Sequence, residues 1–294
     1  MEDAGLALDS CRPCYLLWFD GGELEGVATE PVRPRLHEAR PIRSPRSRDP
    51  RGLLEEWSER NAPERGWQRI CGYLGLPYEE EENPTGTAYA TVSIALLLIL
   101  AHFLVTREGL YEVAREWGFV PALAGRHLGA TWLTTFFLHG GWLHLFGNAY
   151  FLVAFGDNVE KDLGVARYLL LLLLGTTLGV ALHYLFDPSS ERPLIGASAG
   201  ISALLLYYAY RFPAARIGWA LRYGFIPVWW FRMRAHTAFA VWLVFQLGLV
   251  AFQATGRTSV SAMAHLGGVG AGVLFVWFQR VRAAPSPATA SREE

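Results

Sequence analysis

Three stretches of the chain hold side chains whose types suit acyl transfer. "LIGASAG" places Ser198 behind Gly196, "MAHLGGVGAG" places His265 ahead of Gly268 and Gly272, and "LHGGWLHLFGNAYF" supplies His139, His144 and Asn148. A hydroxyl, an imidazole and a set of neutral hydrogen-bond donors are the nucleophile, base and oxyanion stabilisers of that chemistry. His144 and Asn148 are spaced i, i+4 and share one helix face, as do His265, Gly268 and Gly272. A glycine stripe beneath a histidine lets another helix approach the imidazole closely. Each group also has a plainer reading. Small residues around a serine serve helix packing, a membrane serine commonly bonds a nearby carbonyl, and a lone histidine can be a satisfied buried polar group. The pattern G-x-S-x-G also occurs at the nucleophile elbow of soluble hydrolases. That elbow needs a preceding strand, and here the loop-like "DPSSERP" precedes it.

The elements that must position these groups are membrane helices. Six stretches, 83–106, 127–156, 168–186, 193–210, 235–256 and 258–279, contain no Asp, Glu, Lys or Arg, in a chain that is 52% hydrophobic and 14% aromatic. About 20 apolar residues cross a bilayer as helix, so the composition predicts an all-α polytopic membrane protein. Spans are expected near 87–105, 143–156, 168–186, 197–211, 236–254 and 261–279. The connection 106–138, with Trp117, Phe119, Pro121, Trp132 and Phe136, reads as half-immersed in the interface. The chain shows no signal peptide, so its first span would direct its own insertion. A formal net charge of −1 argues against a nucleic-acid partner. Partners expected instead are the lipid bilayer and the proteins within it.

Arginine sets the expected orientation. Arg211, Arg216, Arg222, Arg232 and Arg234 follow the fourth span, and Arg280 and Arg282 follow the sixth. The positive-inside rule then puts both termini in the cytoplasm, the Trp-rich connection around Trp219, Phe225, Trp229 and Trp230 along the inner interface, and Ser198 just inside the outer face. A cell membrane, in the first instance a bacterial inner membrane, is the expected location. Before the first span, 31–51 is rich in Pro and Arg and reads as a disordered linker, while 52–84 has the spacing of a juxtamembrane amphipathic segment. Residues 283–294 read as a disordered tail.

Taken together and in order, H-x4-H-x3-N (His139, His144, Asn148), "FGDNVEKDLG", G-x-S (Gly196, Ser198) and A-H-x-x-G-x-x-x-G (His265, Gly268, Gly272) make the chain resemble a rhomboid intramembrane serine protease over residues 85–282. The resemblance implies a six-transmembrane-helix rhomboid bundle with a short cytoplasmic N-terminal extension. It implies Ser198 as nucleophile and His265 as base in a dyad without aspartate. His144, Asn148 and the Ser198 N–H would hold the oxyanion, and His139 and Gly196 would be structural. Substrates would be transmembrane proteins. The alternative is a catalytically inactive rhomboid-like protein that binds or routes transmembrane segments.

The chain departs from the family pattern at three places: Ala199 stands where Gly is common, Trp132-Leu133 where Trp-Arg is common, and Ser202 where some members have an aromatic. No H-E-x-x-H occurs and no aspartate lies in the charge-free segments, which leaves metalloprotease and aspartyl chemistry without their groups. Residues 1–30 resemble half of a transcription-factor-B-like zinc ribbon, with Cys11 and Cys14 as one knuckle. A structural zinc needs four ligands, and His37 and Cys71 are distant, so no cofactor is expected.

Overall fold

The computed structural model describes residues 9–10, 17–18, 61–80, 86–224 and 226–283. The chain divides into two compact units, Met1–Gly52 and Leu53–Glu294. In the first, strands β1 (Asp9–Ser10) and β2 (Leu17–Trp18) pair antiparallel. Cys11, Cys14 and His37, the disordered-linker reading of 31–51 and the tail 284–294 fall outside the described residues.

The second unit is predominantly helical. Short helix α1 (Gly66–Leu74) precedes α2 (Tyr89–Glu108) and α3 (Leu110–Trp117). Among the described residues five longer helices follow: α4 (Trp142–Leu163), α5 (Val165–Phe186), α6 (Ser198–Arg211), α7 (Ala235–Ala254) and α8 (Ala262–Ala283). Four of them, α2, α5, α7 and α8, are long and apolar enough to cross a membrane. Helix α4 runs past the expected end at 156 and carries Asp157, Glu160, Lys161 and Asp162 in its last turns. Helix α6 has only 14 residues.

The centre of the bundle is α5, α6 and α8, brought together by glycine. A Cβ on Gly175 would lie 2.7 Å from the Ala203 methyl, one on Gly267 2.5 Å from the Leu178 carbonyl oxygen, and one on Gly268 2.0 Å from the Ala199 carbonyl oxygen. These backbones therefore touch, which is how helices associate where lipid offers no hydrophobic drive. Beside this centre, Leu98, Leu145, Leu152 and Tyr168 are fully buried among α2, α4 and α5.

The charged end of α4 is a fastener. Glu160, 5% exposed, accepts hydrogen bonds from Ala90 N–H (2.9 Å), Thr91 N–H (2.7 Å) and the Thr91 hydroxyl (2.8 Å) at the start of α2. A carboxylate at a helix N-terminus satisfies orphan donors and favours the dipole, and without such partners its burial would be costly. Asp162 accepts from the Tyr207 hydroxyl (2.7 Å) and Arg211 Nε (2.8 Å), tying α4 to the end of α6.

Beside the helices lies a three-stranded antiparallel sheet, ordered β3 (Tyr78–Glu79), β4 (Arg216–Tyr223), β5 (Ile226–Arg234). The Trp-rich connection between α6 and α7 is thus a β-hairpin. Tyr78 packs on Gly218, where a Cβ would meet its ring at 2.3 Å, and α1 lies against the hairpin through Gly72 and Trp230. Glu79 anchors the sheet to the bundle, accepting from Asn158 Nδ2 (2.6 Å) on α4 and the Tyr208 hydroxyl (2.5 Å) on α6. Cys71 is buried and receives the Tyr150 hydroxyl at 3.4 Å.

The connection before α4 folds into short helical turns, with Phe119 and Pro121 buried. Arg126 donates to the Gly118 carbonyl (3.1 Å) and Trp132 Nε1 to the Ala124 carbonyl (3.1 Å), so an arginine stitches this loop although position 133 is leucine.

Candidate active site

The loop that delivers Ser198 is held from outside its own helix. Phe119 and Leu194 exchange backbone hydrogen bonds (3.1 and 2.7 Å), the Thr135 hydroxyl donates to the Leu194 carbonyl (2.6 Å), and Gly196 N–H donates to the Thr135 carbonyl (2.9 Å). Gly196 has φ +124°, a region closed to most side chains. A Cβ there would also lie 2.9 Å from the His144 ring. This glycine therefore gives the turn its shape and leaves room for the imidazole. Ser198 follows as the first residue of α6, so its N–H is among those with no acceptor within the helix.

Ser198 and His265 meet. Ser198 Oγ lies 2.9 Å from His265 Nε2, 67 positions apart in sequence. His265 is one turn from Gly268, and the close approach of Gly268 to the Ala199 carbonyl sets the depth at which the ring meets the hydroxyl. Gly272 repeats the contact one turn further on, where a Cβ would lie 3.0 Å from the Ala203 carbonyl oxygen.

The oxyanion candidates gather around Gly196. His144 Nδ1 accepts from Gly140 N–H (3.3 Å), which in a neutral imidazole leaves the proton on Nε2. That nitrogen and the Asn148 amide nitrogen lie 2.9 and 3.7 Å from the position a Cβ on Gly196 would take. The Asn148 amide is oriented by donating to the His144 carbonyl (3.2 Å). His139 is fully buried and stands edge-on to His144, ring centroids 5.1 Å apart.

Two nearby hydroxyls have other roles. Ser202 donates to the Ser198 carbonyl (2.7 Å), a back-bond within the helix. Ser261 stands 2.8 Å from His183 Nδ1 and also accepts from Ala264 N–H (3.1 Å), which makes it a cap for α8. The methyl of Ala199 lies against Gly179, where a second Cβ would come within 2.5 Å, and Ala199 is a helical residue of α6. So the Ala199 departure is absorbed by packing on α5.

Sequence reasoning missed Gln246. On α7 it is 3% exposed, and its Oε1 lies 2.8 Å from His265 Nδ1. The available signal was an amide within a charge-free span, where Gln253 nearer the helix end is the other. Trp242, one turn earlier, lies 6.2 Å from the His265 ring. It also lines an apolar cleft of about 450 Å³ with Phe151 and Phe155 of α4 and Phe239 and Phe245 of α7. Among the described residues no group of three His, Cys, Asp or Glu side chains is arranged to hold a metal ion.

Fold and site together define a multi-pass membrane protein with a serine–histidine pair enclosed in its helical bundle. Residues 128–282, more than half of the chain, match the rhomboid domain, and the protein belongs to the rhomboid family. It is 29% identical to Rhomboid protein 1, mitochondrial, of Saccharomyces cerevisiae over 220 residues, covering 70% of this chain and 59% of that protein. It is 32% identical to Rhomboid-related protein 1 of Caenorhabditis elegans over 160 residues, covering 53% of this chain and 41% of that protein. The chain thus spans about half the length of these relatives.

Proposed function

We propose that the protein is an intramembrane serine endopeptidase, hydrolysing peptide bonds in or near transmembrane segments of other membrane proteins. The observation that carries this reading is the 2.9 Å contact between Ser198 Oγ and His265 Nε2. His265 takes the Ser198 proton as Oγ attacks the scissile carbonyl carbon. His144 Nε2–H, the Asn148 amide and the Ser198 N–H hold the oxyanion, the largest stabilising term in most acyl transfers. The imidazolium then protonates the leaving amine, and water, deprotonated by His265, releases the acyl group. The cleft beside Trp242 offers an apolar surface suited to a substrate helix.

In this reading the membrane domain is 85–282, all six long helices cross the bilayer, and both termini are cytoplasmic. Arg211 closes the helix that Ser198 opens, so the 14 residues of α6 place them roughly 20 Å apart along its axis. With Arg211 at the inner boundary of a core about 30 Å thick, Ser198 lies about 10 Å below the outer one, within reach of a water-filled cavity. A bacterial inner membrane is the proposed location, and fractionation of the tagged chain decides it. No zinc is assigned a role in the reaction.

The test is cleavage of a single-span substrate in liposomes. Ser198→Ala and His265→Ala should each abolish cleavage, with the double variant no worse than either, because the two act as a unit. A folded wild-type protein that cleaves no substrate and reacts with no serine-directed probe would favour the non-catalytic alternative.

A further inference from the structure

Helix α7 is the least buried of the four long apolar helices α2, α5, α7 and α8. Its buried residues are Ala235, at its first position, and Gln246. An amide enclosed in this way requires a partner, and the partner is the imidazole that faces Ser198: Gln246 Oε1 is 2.8 Å from His265 Nδ1. An amide carbonyl only accepts, so the Nδ1 position carries the proton. In a neutral ring this leaves the Nε2 lone pair directed at the Ser198 hydroxyl, 2.9 Å away. The opposite tautomer would present an N–H to the nucleophile and could not take its proton.

Resting on the protease reading above, we propose that Gln246 is a positioning residue that completes a hydrogen-bonded Ser198–His265–Gln246 triad. It holds His265 in the tautomer and ring orientation a general base needs. Its effect is greater in the transition state than before it. When His265 accepts the serine proton, the Nδ1–H···O=C bond becomes charge-assisted and strengthens, which is the differential binding that speeds a reaction. Trp242, on the same helix one turn earlier, adds the ring contact at 6.2 Å. The base is thus oriented from α7, whereas the nucleophile belongs to α6.

The test uses the full chain in liposomes with a single-span substrate and compares wild type, Gln246→Met and Gln246→Glu from acid to alkaline pH. Methionine keeps the length and removes the acceptor, so kcat should fall about 10- to 100-fold with KM unchanged. Glutamate keeps an acceptor and adds charge. It should restore turnover at alkaline pH and move the acid limb of the pH–rate profile upward, since a carboxylate holds the imidazole proton more tightly. Histidine-labelled ¹⁵N spectra should show Nδ1 protonated in the wild type. A Gln246→Met protein with wild-type kcat, or a Gln246→Glu protein with the wild-type pH profile, overturns the proposal even where Ser198 is shown to be reactive. Should Gln246→Met fail to fold, the glutamate profile and the tautomer spectrum decide alone. An inert wild type removes the protease reading itself, an outcome visible before any variant is compared.

Discussion

The glycine stripe on α8 yields a matched pair of substitutions two residues apart. In Gly268→Ala the new methyl would lie 2.0 Å from the Ala199 carbonyl oxygen, a backbone atom that cannot swing aside. Carbon–oxygen contacts settle at about 3.3–3.6 Å, so α8 and α6 must separate by more than ~1 Å. Overpacking of this kind costs about 1–3 kcal/mol. If the separation reaches His265, one turn away, its 2.9 Å contact with Ser198 opens to about 4 Å, outside hydrogen-bond range. Misplacement by ~1 Å costs about 100-fold in rate. Gly270 faces the other way, with open space where a Cβ would stand. Gly270→Ala should therefore melt at or above the wild-type temperature, because alanine is the better helix former by up to ~1 kcal/mol. The assay is a thermal melt in detergent alongside cleavage of a single-span substrate. Wild-type turnover and melting in Gly268→Ala would refute the reasoning, as would an equal loss in Gly270→Ala.

Asn148→Ala should slow cleavage by about 10- to 1000-fold at an unchanged melting temperature, the range of one oxyanion donor, and His144→Ala should act likewise. His139→Ala should instead lower the melting temperature, since the ring is fully buried against His144. Tyr78, on the sheet outside the spanning helices, gives a pH prediction. Burial pushes its phenol up to about 12, with Arg232 opposing. The unfolded chain, ionising near ~10, loses this proton first, so stability is full below ~10 and falls as pH rises toward about 12. Tyr78→Phe should remove that alkaline loss, measured by melting temperature across the range. At neutral pH it should cost little, because the hydroxyl is buried without a hydrogen-bond partner among the described residues.

Much of this architecture was legible from the chain because membrane helices are written in unbroken apolar composition. Ser198, His265, His144 and Asn148 stood out as polar groups in such runs, and helical spacing put the last two on one face. The hairpin 216–234 was hidden, since its arginines and tryptophans read as a connection along the inner interface. Its pairing to Tyr78–Glu79, far earlier in the chain, depends on contacts that no local pattern encodes. Glu160 was equally silent, as its three donors lie about 70 residues upstream. Ala199 read as a departure near the oxyanion site. Only the position of Gly179 on α5 reveals where its methyl goes. Gln246 sits among apolar neighbours in a span that also carries Gln253, and no local pattern tells which of the two amides turns inward.

The central claim is that Ser198 is a nucleophile activated by His265, and covalent labelling tests it most directly. The purified chain in detergent is treated with a fluorophosphonate, and the modified residue is located by mass spectrometry. The account predicts one adduct on Ser198 in the wild type, none in Ser198→Ala or His265→Ala, and wild-type labelling in Ser202→Ala and Ser261→Ala. An adduct that persists in Ser198→Ala, or one carried by Ser261 with His183 as its base, would contradict it.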